Sequence, residues 1–243
     1  MDDIIKTQDH YLKDLSSERQ MDVSEAFPVL MRKVYVWMGL ALLITGMTAY
    51  YVATNESIMT AILSSKALFY GLLIAEFGLV IAVSAAIDRL SLLTATLLFI
   101  LYSIINGVTM SIIFLVFTAS SIASVFFITA GTFGAMAAIG YTTKADLSSM
   151  GKIMYMALIG LIIATVVNFF LKSDGLTMIL SYIGVIVFVG LTAWDSQKIK
   201  RMLLTAPDAG EAAQKVALLG ALTLYLDFVN LFIYLLRIFG RRR

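Results

Sequence analysis

Of 243 residues, 60% are hydrophobic and only 14% are charged, and the mean hydropathy is +0.91. Soluble domains run about 45–50% apolar and ~25% charged, so a single water-soluble core is excluded and the chain reads as an integral membrane protein. The absence of cysteine removes disulfides, thiolate metal sites and a cysteine nucleophile. The lone histidine, His10, lies in the polar head, which leaves zinc centres and histidine-based catalysis without their main residue. A net charge of +2 with dispersed basic residues gives no nucleic-acid footprint.

Residues 1–33 carry 12 of the 34 charged side chains and are read as a polar, mobile cytoplasmic segment. The first apolar run follows this polar stretch, unlike a cleaved secretory signal. A helix crossing ~30 Å of hydrocarbon needs about 20 apolar residues. Windows of that length predict spans at 34–54, 67–87, 91–112, 120–141, 151–171, 176–198 and 216–238. The expected fold is therefore all-α, a polytopic bundle of seven helices over residues 34–240, followed by a basic tail at 241–243. Helices are the default because lipid offers backbone groups no partner, and the alternating segments of a membrane β-barrel are missing. Both prolines, Pro28 and Pro207, fall outside the predicted spans, and the break between the third and fourth is only TASS at 118–121.

Lysine and arginine in short loops set orientation. With the N-terminus cytoplasmic, that side holds 12 basic residues and the other 6, namely Lys66, Lys172, Arg237, Arg241, Arg242 and Arg243. The terminal arginines oppose the rule: either the tail crosses, or the last segment falls short of spanning. Small residues four apart permit close helix approach. Such strips are Ala41/Thr45/Ala49, Gly78/Ala82/Ala86, and Gly131/Ala135 with Gly134/Ala138, read first as packing within one bundle and second as a dimer face.

Charge inside a span costs at least ~2.5–3.5 kcal/mol, so each intramembrane carboxylate is a functional candidate. Three qualify: Glu76 and Asp227 near the middle of their spans, and Asp195 near one end. Gly220, Thr223, Asp227, Asn230, Tyr234 and Arg237 recur at three- and four-residue steps and form one polar stripe. Thr192 and Lys198 flank Asp195, while Tyr102, Asn106 and Thr109 add uncharged polar groups on the third span. Such stripes read either as a hydrated path or as hydrogen-bonding glue between helices. If Asp195 and Asp227 meet, the stable arrangement shares one proton, and the two titrate as a unit. Arg89 and Arg237 are the cations that would rebalance such a pair. Calcium suits hard oxygen ligands, but a tight site needs six to eight of them; scattered carboxylates suggest transient coordination. An intramembrane aspartyl protease would carry GxGD, which neither aspartate has, and no enzymatic activity is expected.

Four ordered stretches, YSIINGVTMS (102–111), GYTTKADLSSMG (140–151), GLTAWDSQKIK (190–200) and YLDFVNLFIYLLRIFG (225–240), resemble the Bax inhibitor-one family, most closely its bacterial branch. The resemblance implies seven helices in a bacterial inner membrane. It also implies a proton-sensitive calcium leak gated by aspartates that match Asp195 and Asp227, with calcium as permeant ion and no cofactor. Glu76 resembles the acid of the family's second helix, and Arg89 its arginine near the aspartate latch. Arg89, Asn106, Asn230 and Arg237 complete the ion-path or latch candidates. Segment 203–217 lengthens the expected connection between the last two helices. Bacterial relatives also include modulators of a membrane-bound AAA protease, a role acting through protein interaction and stress response, to which the charged head would be suited.

Overall fold

The computed structural model describes residues 2–206 and 210–243, with side chains from Ala26 onward. Among the described residues there are nine helices: α1 (Asp2–Thr54), α2 (Glu56–Ser64), α3 (Lys66–Ala86), α4 (Leu92–Met110), α5 (Ile113–Val116), α6 (Ala119–Thr142), α7 (Ser148–Leu171), α8 (Asp174–Leu204) and α9 (Glu211–Phe239). Seven segments are long and apolar enough to span a membrane: 26–54, 66–86, 92–116, 119–142, 148–171, 174–204 and 211–239. They match the seven predicted spans in order. The side chains of most of the head, His10 included, lie outside the described residues.

Turn chemistry sets the helix starts. Asn55, Ser65, Ser91 and Ser173 each cap a following helix, accepting the N–H of Ile58, Leu68, Thr94 and Leu176 respectively. Between α7 and α8 the chain reverses through Lys172, whose φ of 51° is the left-handed C-cap conformation. Asn168 secures this turn, accepting from Ser173 N and donating to Thr177 Oγ1.

The bundle is centred on α9, which packs against α8, α1, α6 and α4. Two thirds of its spanning window (67%) is buried, against 6% for α3 and α7, which lie at the periphery. The end of the bundle where the span of α1 begins also holds the α3–α4 turn, the α6–α7 loop and the α8–α9 connection. We call this the near end. The far end holds α2, α5, the α7–α8 turn and the tail.

Several sequence expectations change. Pro28 lies inside α1 and inside its span, so the helix tolerates one missing backbone donor there. Residues 211–217 belong to α9, with Ala213 and Ala217 buried, so the α8–α9 connection is 205–210 rather than a long insertion. α8 continues six residues past 198, which moves Asp195 well inside its helix. The third and fourth spans separate at Phe117 and Thr118, both extended. The strip Ala41/Thr45/Ala49 is buried as expected. Gly78, Gly131 and Gly134 are exposed with open space beside them, so those strips do not pack within the bundle. The close approaches are made by other glycines: Gly140 against the Ala193 backbone, Gly151 against the Trp194 ring and Gly184 against the Tyr234 ring.

α9 runs the length of the bundle, which removes the half-spanning alternative. Beyond it the tail doubles as an edge: Thr118 N donates to Arg241 O (3.1 Å), Arg243 N donates to Val116 O (3.0 Å), and Arg241 N donates to Ser121 Oγ (2.8 Å). Backbone pairing thus holds the tail against the α5–α6 turn at the far end.

A methyl group at Gly140 meets backbone that cannot rotate away, whereas one at Gly131 meets nothing. Gly140→Ala should therefore lower stability by about 1–3 kcal/mol, as overpacking does. Gly131→Ala should leave it unchanged, and equilibrium unfolding in detergent or bicelles compares the two.

Candidate functional site

The polar stripe on α9 faces α8. Gly220 lies against Ile199, Asp227 against Asp195, and Tyr234 against Gly184 and Phe188, an antiparallel register that matches the two helices residue by residue. Asp195 and Asp227 come within hydrogen-bonding reach of each other, and both are buried, at 6% and 5% exposure. Carboxylates are acceptors only, so this contact requires a proton between them. Asp227 Oδ2 has no hydrogen-bond partner among the described residues. Lys198 is the cation that acts on Asp195; its ammonium lies 5.0 Å from the centre of the Trp194 ring.

The other candidates are not all gathered there. Arg237 lies ten residues beyond Asp227, about 15 Å along the helix, with its guanidinium 5.6 Å from the Tyr234 ring centre. Arg89 is exposed in the α3–α4 turn at the near end. Asn230 donates to Leu226 O within its own helix, and Thr223 likewise to Leu219 O, so much of the stripe satisfies itself rather than lining a path. Among the described residues no three carboxylates or histidines gather. The pair alone therefore falls far short of the six to eight oxygens of a tight calcium site.

Glu76 and Asn106 belong to a second polar cluster. Thr109 Oγ1 donates to Glu76 Oε1, and the Asn106 amide also bonds Glu76. Asn106 Oδ1 lies 3.0 Å from the hydroxyl of Tyr225, which is 2.6 Å from Thr45 Oγ1, itself 2.9 Å from Ser103 O. The Tyr225 ring is fully buried, edge-on to Phe99 and Tyr102 at 5.8 and 5.7 Å. Two residues along a helix are about 200° apart, so Tyr225 and Asp227 leave α9 on opposite faces. Sequence reading missed Tyr225 and took Thr45 only for a small packing residue, because neither is charged and both sit in otherwise apolar runs.

A third feature joins two of the motif stretches at the near end. Gln197 Oε1 accepts from Leu147 N (3.0 Å) and Nε2 donates to Ala145 O (2.8 Å), clamping the α6–α7 loop onto α8 two residues from Asp195. Arg201 reaches both Gln197 Oε1 and Asp146 Oδ1, and Lys200 Nζ donates to Tyr141 O. Asp146 also accepts from the Ser148 hydroxyl and N–H; these donors, with Arg201, hold its carboxyl down at about 2.

Fold and site define a multi-pass helical membrane protein with a buried carboxyl pair between its last two helices. The chain belongs to the Bax1-I family, described as "Inhibitor of apoptosis-promoting Bax1", which it matches over residues 28–243. It is 52% identical over 215 residues to the inner membrane protein YbhL of Escherichia coli strain K12, covering 88% of this chain and 92% of the relative. An uncharacterized protein of Borreliella burgdorferi is 44% identical over 231 residues, covering 95% and 98%. An uncharacterized membrane protein of Streptococcus pyogenes serotype M1 is 36% identical over 211 residues, covering 86% and 91%.

Replacing Gln197 by Leu removes both bonds to the loop and leaves the Leu147 N–H and Ala145 C=O to find water. Amide exchange at Leu147 and Ser148 should accelerate by at least about tenfold, the equivalent of 1.4 kcal/mol. The Asp146 tether has a lowered folded pKa. Its contribution is therefore complete above the ordinary carboxyl value and is lost as pH falls through about 2. Loop exchange compared at fixed intrinsic rate should be flat from neutral pH to about 4 and rise below that.

Proposed function

We propose that the protein is a pH-sensitive calcium leak of a bacterial inner membrane, with its N-terminus cytoplasmic and the Asp195–Asp227 pair as the gate. The carrying observation is that two carboxyl groups from different helices are buried face to face. With one proton between them they bridge α8 and α9. Without it, two like charges oppose each other in a poorly hydrated place, and the cheapest relief is to separate the helices or admit a cation. The latch is thus bistable, and pH selects its state. Calcium passes as cargo, held briefly by the carboxylates rather than stored.

The near end becomes the cytoplasmic end in this reading. It carries Lys144, Lys152, Lys198, Lys200, Arg201 and Lys215 in addition to Arg89, as the positive-inside rule requires. The other reading, modulation of a membrane-bound AAA protease through the polar head, rests on residues whose side chains lie outside those described.

Liposomes reconstituted with the wild-type chain should pass calcium with a rate that changes with pH. In Asp195→Asn the amide donates to Asp227 at every pH, so the bridge persists and the pH dependence should flatten; Asp227→Asn should do the same from the other side. Wild-type pH dependence retained in both variants sinks the gate, and liposomes with no calcium flux sink the leak itself.

A further inference from the structure

The second polar cluster has too few protons for its contacts. Three contacts run in series: Ser103 O to Thr45, Thr45 to Tyr225, and Tyr225 to the Asn106 side chain. The two hydroxyls supply two protons. With Asn106 Oδ1 turned toward Tyr225, one of the three contacts must go without. The deficit vanishes if the amide turns over: Nδ2 donates to Tyr225, Tyr225 donates to Thr45, and Thr45 donates to Ser103 O. Turning the amide presents Oδ1 to Glu76, and a carboxylate cannot donate to it. Glu76 must then hold a proton.

From this count we propose that Glu76 is a proton-binding site separate from the aspartate pair, whose occupancy is relayed through the Asn106 amide and the Tyr225 hydroxyl to Thr45 on α1. When Glu76 is ionised, Thr109 and Asn106 Nδ2 donate to it, Tyr225 donates to Asn106, and Thr45 donates to Tyr225, leaving Ser103 O without Thr45. When Glu76 is protonated, it donates to Asn106 Oδ1 and every hydroxyl along the chain reverses, which restores the tie between α1 and α4. One proton is gained from solvent and none is lost along the chain. The titratable groups facing Glu76 are Tyr102 of α4 and Tyr225 of α9. Asn106 and Thr109 face it as neutral partners, and among the described residues Glu76 forms no ion pair. The cluster lies on the α1 and α4 side of α9 and the aspartates on the α8 side, so one helix carries two proton-dependent contacts on opposite faces.

Difference infrared spectroscopy of the full chain in lipid, with ring-labelled tyrosine, tests this without reference to calcium. Acidification should produce a carboxylic-acid C=O band that is lost in Glu76→Gln and kept in Asp195→Asn and Asp227→Asn. A tyrosine C–O band should shift with the same midpoint, because Tyr225 changes its hydrogen-bond partner, and that shift should be lost in Tyr225→Phe. Asn106→Leu should keep the carboxyl band and lose the tyrosine shift. A wild-type tyrosine band that stays still while the carboxyl band titrates, different midpoints for the two, or a shift that survives Asn106→Leu overturns the relay. A carboxyl band unaffected by Glu76→Gln overturns the site. The wild-type midpoints decide the question even where a variant fails to fold, and a failed relay leaves the aspartate gate standing.

Discussion

A carboxyl pair that can meet only by sharing a proton fixes how α8 and α9 must pass each other. Asp227 is nearly in the middle of the most buried helix, and Asp195 faces it from the next most buried one. Bringing these groups together under lipid requires a register in which glycine or small side chains sit above and below the contact. Gly220 and Gly184 supply that clearance, the first under Ile199 and the second under the Tyr234 ring. The seam is therefore small, acidic and small again along its length, and its steric and electrostatic requirements point to one alignment. α6 and α1 pack against both helices of the seam, and the two carboxyl groups are buried at 6% and 5% exposure.

The fold was legible because apolar length is nearly all that a lipid-spanning helix requires, and each of the seven runs had it. Boundaries were less so. α8 continues past Lys198 because Gln197 and Arg201 find backbone and carboxylate partners in the α6–α7 loop and Lys200 finds a carbonyl in the last turn of α6, a tertiary gain invisible to hydropathy. The same holds for 211–217, whose charged and polar residues lower its hydropathy below that of a span although its alanines favour helix and pack as one. In the site, charge singled out Asp195, Asp227 and Glu76, since burying a carboxyl group is costly enough to stand out, and the structure buries the first two and half-buries the third. Small residues were not. A four-residue spacing marks where helices can approach, and Gly131 and Gly134 share it with Ala41 and Thr45, yet only the latter strip is buried. The hydroxyl chain through Tyr225 escaped for the opposite reason: its members cost little to bury once bonded, so nothing in the sequence sets them apart.

The two motif stretches joined by Gln197 have a shared logic. α6 ends where Gly140 meets the Ala193 backbone, and α7 begins where Gly151 meets the Trp194 ring. Both flank Asp195. The clamp thus fixes the helix bearing one aspartate from three directions, while Asp227 is fixed by the burial of its own helix. Any separation of the pair must move α9, or break the loop away from α8.

The paired tail at the far end constrains which movement that is. Arg241 and Arg243 are bonded through their backbones to the turn before α6, so the far end of α9 is pinned to the rim of the bundle. Sliding α9 along its own axis would tear that anchor, and translation by a single turn would carry Asp227 past its partner. At the near end α9 is held instead by side chains, Lys33 Nζ donating to Gln214 Oε1 (2.8 Å) and Leu92 N to Glu211 Oε1 (3.0 Å). In the orientation proposed, α9 is held by main-chain bonds at the outer rim and by side-chain bonds at the inner one, so a tilt that parts the pair would break only the side-chain ties, at the end where the clamp and the basic loops converge.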